Sequence, residues 1–413
     1  MKNIVNTNYI IKGEKKMNIP LVDLKAQYKL VEEKAEKAVL EVLSSANYIM
    51  GKEVIEFEKE FGEYIGVKHA ISVGNGTDAL VLALMACGIG KGDEVITTPF
   101  TFFSTAESIS LVGATPVFVD VEKETYNIDP LKIEEKITEK TKAIMPVHIF
   151  GQSAKMDEIM AIAKKHNLKV IEDAAQAVGS EYKGTKTGAI GDVGCFSFFP
   201  TKNLGCAGDG GIITTSDDNI AIISRALRTH GSGENGQKAY NLLNKVSEEI
   251  KTSEGHDDTV YNPLKYYNYL IGFNTRLDAV QAAILRVKLP NIDNWNQKRR
   301  ENAKLYDEKL KDIALTLPAS IPESKSVYNM YVMQSENREE MINKLKEKGI
   351  STGVYYPVPI HLQKAYEKLG YKEGDMVVAE YLSHRTFAIP IFPELNMEQK
   401  EYIVDMIKEV NNQ

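Results

Sequence analysis

The sequence predicts an α/β fold built on a mostly parallel sheet, and three observations carry that expectation. Short runs rich in Val and Ile alternate with helix-like stretches from residue 70 to residue 217. Several of these runs are apolar nearly throughout, as strands covered on both faces must be. The stretches between them place apolar residues at helical spacing, as Met156, Ile159, Met160 and Ala163 do, giving one buried stripe per helix. Such alternation builds a parallel sheet flanked by crossover helices.

Seven strands are expected, over residues 70–73, 94–98, 115–121, 142–150, 168–173, 194–198 and 211–215. Ligands of such sheets gather at the carboxyl ends of the strands. Thr98, Asp173 and Ser197 lie near predicted ends. Residues 232–268 break the alternation and read as an insertion, either a surface excursion or a lid. Asp278 to about Lys311 is strongly helical, and new strand and helix signals follow at 327–333 and 341–348. The expected organisation is a disordered extension 1–16, a large domain 17–290 with the insertion 232–268, and a smaller C-terminal α/β domain 291–413. Met17 reads like a natural beginning of the chain.

Composition narrows the function classes. The 413 residues are 43% hydrophobic and 26% charged, enough for a sizeable core. A formal net charge of -7 disfavours non-specific binding to nucleic acid or an anionic membrane. No apolar run approaches the roughly 20 residues of a membrane helix, and the first residues lack the apolar core of a secretory signal. Cys87, Cys195 and Cys206 show no metal-type spacing and fit a reducing cytoplasm. The seven histidines show no ligand spacing either, so no metal is expected.

The most informative residue is Lys202, in Phe196-Ser197-Phe198-Phe199-Pro200-Thr201-Lys202-Asn203-Leu204-Gly205. An ammonium after an apolar strand costs several kcal/mol to bury unless paired or neutralised. Its stem either snorkels to solvent or carries a neutral amine able to form a Schiff base with a carbonyl cofactor. Upstream, Val170-Ile171-Glu172-Asp173-Ala174-Ala175-Gln176 is an apolar strand ending in acid. A lysine and an aspartate at two strand ends fit a pyridoxal phosphate (PLP) enzyme, the aspartate serving the pyridinium nitrogen. A helix terminus or an arginine would serve as its cationic partner otherwise.

Two further segments bear on a cofactor. Ser72-Val73-Gly74-Asn75-Gly76-Thr77-Asp78-Ala79 places a glycine turn between a strand and a helix. It imitates a dinucleotide fingerprint without the acidic strand end that normally follows. It reads instead as a phosphate cup on the helix start near Gly76 and Thr77, or as an ordinary N-cap. In Pro99-Phe100-Thr101-Phe102-Phe103-Ser104-Thr105, Phe102 is a candidate to stack on a planar ring, or else a core residue.

Taken together these motifs resemble the DegT/DnrJ/StrS family, the PLP-dependent sugar aminotransferases of aminotransferase fold type I. The resemblance rests on Gly74 to Leu80, Thr101-Phe102, Ile171 to Gln176, Phe196 to Gly205, Gly208-Asp209-Gly210-Gly211 and Gly272-Phe273-Asn274-Thr275-Arg276-Leu277-Asp278. It covers nearly everything from Met17 onward. It implies that Lys202 holds PLP and later moves a proton between substrate and cofactor carbons. Asp173 would keep the pyridine nitrogen protonated. Phe102 and Ala175 would border the two ring faces, Gln176 its polar edge, and Gly76, Thr77 and Ser197 the phosphate. Asn274 would reach the phosphate of a neighbouring subunit, which implies a homodimer with shared active sites. His361 resembles, more loosely, a position near the sugar nucleotide.

The implied reaction takes an amino group from an amino acid, with glutamate the expected donor, to a nucleotide-linked keto sugar in amino-sugar or polysaccharide biosynthesis. Phe199 and Asp209 resemble enzymes that aminate C3. Relatives that aminate C4 often carry histidine and glutamate there. A 4-aminotransferase, another fold type I PLP enzyme such as a lyase or desulfurase, and a non-catalytic regulator are the competing expectations.

Overall fold

Seven strands form the central sheet of the computed structural model, which describes residues 16–250 and 266–412. Nine short strands occur in chain order through this region. They are β1 (His69–Val73), β2 (Glu94–Thr97), β3 (Thr115–Phe118), β4 (Thr141–Ile144), β5 (Lys169–Asp173), β6 (Glu181–Tyr182), β7 (Thr185–Lys186), β8 (Val193–Ser197) and β9 (Gly211–Thr215). The sheet order is β1-β9-β8-β5-β4-β2-β3, and β6 and β7 form a separate hairpin. Neighbours are parallel except around β9, which runs antiparallel to both β1 and β8. This is the mostly parallel α/β sheet that the sequence predicts.

Side chains alternate between two apolar layers because successive strand residues face opposite ways. Ile71, Val73, Val193, Cys195 and Ile213 join one layer with helices Gly76–Ala86 and Asp218–Leu227. Ala70, Phe196, Phe198 and Ile212 join the other with helices Lys52–Ile65 and Ala279–Lys288. The helix Gly76–Ala86 buries Ala79 through Leu84 without interruption. It is apolar around its whole girth because it is central.

One expected strand is shorter than its apolar run. The run 142–150 leaves the sheet after Ile144. Pro146 has no N–H for a ladder, and the chain beyond it wraps the end of β5. His148 N donates to Asp173 O at 3.0 Å, and Phe150 adopts a φ of 56°. The helix expected at 156–166 is present as Met156–His166, closed by left-handed Asn167.

The C-terminal part has its own small sheet and core. β10 (Ser324–Lys325) pairs with β6, while β11 (Tyr331–Gln334) and β12 (Thr386–Ile389) pair antiparallel. Helices Arg338–Glu347 and Met397–Asn411 cover β11 and β12, burying Leu345, Ile403 and Ile407. Ile19 joins this core and bridges to Ile350. The long helix Ile292–Leu310 serves both parts: Ile292 and Trp295 pack under the sheet, whereas Ala303, Tyr306 and Leu310 pack with the C-terminal core. Within the expected insertion, Gly233–Asn244 is helical and Ser232 bridges to Asn268. Residues 251–265, and the expected extension 1–16 apart from Lys16, lie outside the described residues.

Glycine is required where β8 passes the 188 turn. A Cβ on Gly194 would sit 2.4 Å from Gly188 Cα and 2.6 Å from Thr214 Oγ1. Gly194→Ala is therefore expected to destabilise the protein by about 1–3 kcal/mol, read as a lower denaturant midpoint. Gly90→Ala, whose Cβ would meet only Val112 O at 3.7 Å, should leave the midpoint nearly unchanged.

Candidate active site

The carboxyl ends of β5 and β8 and the start of the helix Gly76–Ala86 meet at one place. The turn before that helix is held by its own side chains. Asn75 accepts from Asp78 N and donates to Asp78 Oδ2, both at 2.9 Å. Thr275 accepts from Gly74 N at 3.0 Å and donates to the Asp78 carboxylate. The N–H groups of Gly76 and Thr77 lie in the first turn, where a helix has no internal acceptor for them. A Cβ on Gly76 would stand 2.8 Å from Ser197 Cβ. Glycine thus lets the helix start close onto Ser197, which is half-buried. The resulting cup of backbone donors suits an anion.

Asp173 ends β5 and is 5% exposed. Its Oδ2 accepts from Thr105 Oγ1 at 2.8 Å and its Oδ1 from Ala175 N at 3.2 Å. Burial pushes its carboxyl above the ordinary aspartate range, although Thr105, Ala175 and the Lys202 charge oppose the shift. Hydrogen bonds to a charged group contribute about 1.5–3 kcal/mol each. Those present do not offset the desolvation, so the carboxylate is short of a cation.

Lys202 sits on the loop after β8, where its N–H donates to Phe199 O at 2.9 Å. Desolvation lowers its ammonium to about 8, against the attraction of Asp173. A group titrating there holds a minor neutral fraction near neutrality, far above that of an ordinary lysine, and that fraction is the form a nucleophilic amine requires. The sequence-predicted lysine and aspartate are therefore brought together, each strained by burial in the direction a positively charged ring nitrogen and a carbonyl carbon would relieve. The donor set fits PLP: an amine, a carboxylate and a glycine-cleared helix terminus.

The remaining predicted residues fall into three groups. Phe102 is 61% exposed and Ala175 is half-buried, so both keep accessible surface. Gln176 is buried with its amide committed at both ends, accepting from Phe150 N at 2.7 Å and donating to Tyr356 Oη at 2.9 Å. Asn274 is exposed on the strand-like segment that bridges to Thr229. His361 is 1% exposed, with Nε2 3.0 Å from Glu380 Oε1. It sits beneath the loop after β2, where Ile360 N donates to Pro99 O at 2.9 Å.

Several residues around the site were assigned no role from the sequence, although some lie inside its motifs. Glu172 is fully buried and accepts from His148 Nε2, Gly188 N, Ile190 N and Gly191 N at 2.7–2.8 Å. Because His148 Nδ1 accepts from Ala154 N at 3.1 Å, its ring proton belongs on Nε2. Thr101, Thr105, Asn203 and Tyr356 likewise surround the site. Only Thr105, a hydroxyl at a helix start after a strand end, had a position that could have marked it.

The DegT/DnrJ/EryC1/StrS aminotransferase family matches residues 29–408. A Geobacillus stearothermophilus protein named a pleiotropic regulatory protein is 44% identical over 397 residues, 95% of this chain and 98% of its own. An Acidithiobacillus ferrooxidans protein named UDP-N-acetyl-3-dehydro-alpha-D-glucosamine 3-aminotransferase is 40% identical over 390 residues, 94% and 97% of the two chains. The solved structure of S. venezuelae DesV superposes with a TM-score of 0.86 at 36% identity, over 96% of this chain and 99% of that one. Structures of this fold also include aminotransferases solved with PMP, the amine form of the cofactor. The chain belongs to the DegT/DnrJ/EryC1/StrS family and is a PLP-dependent sugar aminotransferase.

Proposed function

We propose that this enzyme moves an amino group from glutamate to C3 of a nucleotide-linked keto sugar, within cytoplasmic amino-sugar or polysaccharide biosynthesis. The observation that carries the reading is the convergence of a desolvated amine, Lys202, and a desolvated carboxylate, Asp173, beside a helix terminus cleared by Gly76. Phe199 and Asp209-Gly210-Gly211, together with the 3-aminotransferase name of the A. ferrooxidans relative, support C3.

When bound, PLP supplies a carbonyl for amine exchange and a ring able to accept an electron pair. In this reading Lys202 Nζ would hold the cofactor through its carbonyl and would serve as the amine that takes up and releases a proton beside it. The Asp173 carboxylate holds the proton on the ring nitrogen. Gly76 N, Thr77 N and the Ser197 hydroxyl bind the phosphate, while Phe102 and Ala175 exclude water from the ring faces. Gln176 holds Phe150 and Tyr356 around the ring's polar edge, and His361 supports the sugar side from below.

The same proposal includes a homodimer in which Asn274 reaches the partner's phosphate. Ile271 at 95% exposure, with Tyr266, Tyr267 and Phe273 also exposed, makes an apolar surface next to Asn274. The division into units 17–290 and 291–413 is part of the proposal too.

Three outcomes are expected. Borohydride fixation of PLP to apoenzyme should mark the peptide containing Lys202, with a capture rate that rises through about pH 8 as the amine loses its proton. Lys202→Ala should fold and capture nothing. A mass-spectrometric assay with glutamate should show amination of 3-keto nucleotide sugars; exclusive turnover of 4-keto sugars would defeat the C3 assignment, and turnover only with another amino acid would defeat the choice of donor. Sedimentation equilibrium should give a dimer, and a purely monomeric active enzyme would remove the shared site.

A further inference from the structure

Two consecutive hydroxyl residues open the helix Ser104–Leu111, and each touches a different end of the site. Ser104 Oγ accepts from Thr77 Oγ1 at 2.8 Å, at the helix terminus that forms the anion cup. Thr105 Oγ1 donates to Asp173 Oδ2 at 2.8 Å and lies 3.0 Å from Thr101 Oγ1. A hydroxyl has one proton. Since Thr105 spends its proton on the carboxylate, Thr101 must be the donor to Thr105, and the chain runs Thr101 to Thr105 to Asp173. Thr101 and Thr105 are 3% and 1% exposed, so water does not substitute for either bond.

We propose that the first turn of this helix is a positioning element, in which Ser104 and Thr105 set the spacing between the phosphate cup and the Asp173 carboxylate. The inference rests on the reading of Asp173 and Gly76–Thr77 as the two poles of the cofactor site. One rigid turn fixes both poles, because adjacent residues of a helix cannot move apart. The bond to Oδ2, with that from Ala175 N to Oδ1, leaves each oxygen a lone pair and holds the carboxylate plane. Neither threonine touches the cofactor in this scheme; both act through Asp173.

The titratable groups facing Asp173 are Lys202 from the loop after β8, Cys195 from β8, His148 from the loop after β4, and Tyr356 from the C-terminal part. None lies on the helix Ser104–Leu111. Substitutions in its first turn therefore alter the hydrogen bonding of Asp173 without altering the surrounding charge.

The test uses PMP, which binds without the Lys202 covalent bond, in equilibrium dialysis against apoenzyme over pH. Affinity weakens on the acid side as Asp173 becomes protonated. Thr105→Val removes the hydroxyl at constant shape and should move this acid limb upward by about one to two pH units. Thr105→Ser keeps the hydroxyl and should leave the limb in place. Ser104→Ala should weaken PMP by roughly three- to tenfold at every pH, with the limb unmoved. A Thr105→Val limb that coincides with the wild type, or a Thr105→Ser limb displaced equally, overturns the proposal. Wild-type enzyme that does not bind PMP would instead overturn the reading of the site itself.

Discussion

Everything around this site follows from the cost of keeping one carboxylate, Asp173, out of water. A buried carboxylate loses several kcal/mol of hydration, and its own chain returns only part through Thr105 and Ala175. Lys202 suffers the reverse penalty, and the attraction between the two does not cancel either one. A cation next to the carboxylate and a carbonyl next to the amine would each relieve the cost of burial. A protonated pyridine bearing an aldehyde supplies both at once.

Holding the two groups in place requires a stiff surround. On one side of Asp173, Glu172 is saturated by three backbone N–H groups and the neutral His148 ring. On the other, Gln176 grips Phe150 N and Tyr356. Each grip has one bond on the segment after β4, so where the backbone pairing runs out past the Val147 bridge to Asp173, side-chain bonds hold the chain around the end of β5. Behind Lys202, Asn203 donates to Asn296 Oδ1 at 2.7 Å and Val327 O at 3.0 Å, and accepts from Asn329 Nδ2 at 2.9 Å. Asn296 in turn donates to Val178 O at 3.0 Å. The lysine loop, the loop after β5 and the C-terminal part are thus joined through buried amides, whose unmade bonds would be expensive.

Much of this was legible in the sequence, and the division has a physical basis. Strands announce themselves because burial on both faces leaves runs such as Val170-Ile171 almost no polar residues, and all seven strand positions emerge from that pattern. Lys202 and Asp173 are legible because charge is anomalous beside such runs. The early end of β4 is not, since Met145 to Phe150 is as apolar as a strand. The bonds that divert it come from residues more than 20 positions away. The roles of Thr105 and Glu172 are harder to read, because hydroxyls and acids are common and only their three-dimensional partners, Asp173 for one and His148 with three backbone N–H groups for the other, distinguish them. His361, which resembles a position near the sugar nucleotide, is held by Glu380 and lies against the loop after β2, partners that its own neighbourhood in the sequence does not reveal.

The same contrast explains why the chemistry is better determined than the substrate. Proton and electron movements are confined to a few buried groups whose energetics are large and local, so their identity constrains the reaction strongly. Sugar choice is proposed to rest instead on exposed side chains such as Phe102 and Phe199, and on the surface near Asn274 where a second chain is proposed to sit. Exposed contacts are individually weak and adapt to the ligand. Discrimination between C3 and C4 then reduces to whether a polar partner meets the sugar's remaining hydroxyl. Such a site rejects an analogue lacking that group strongly, whereas apolar shape alone discriminates by only about 1–3 kcal/mol.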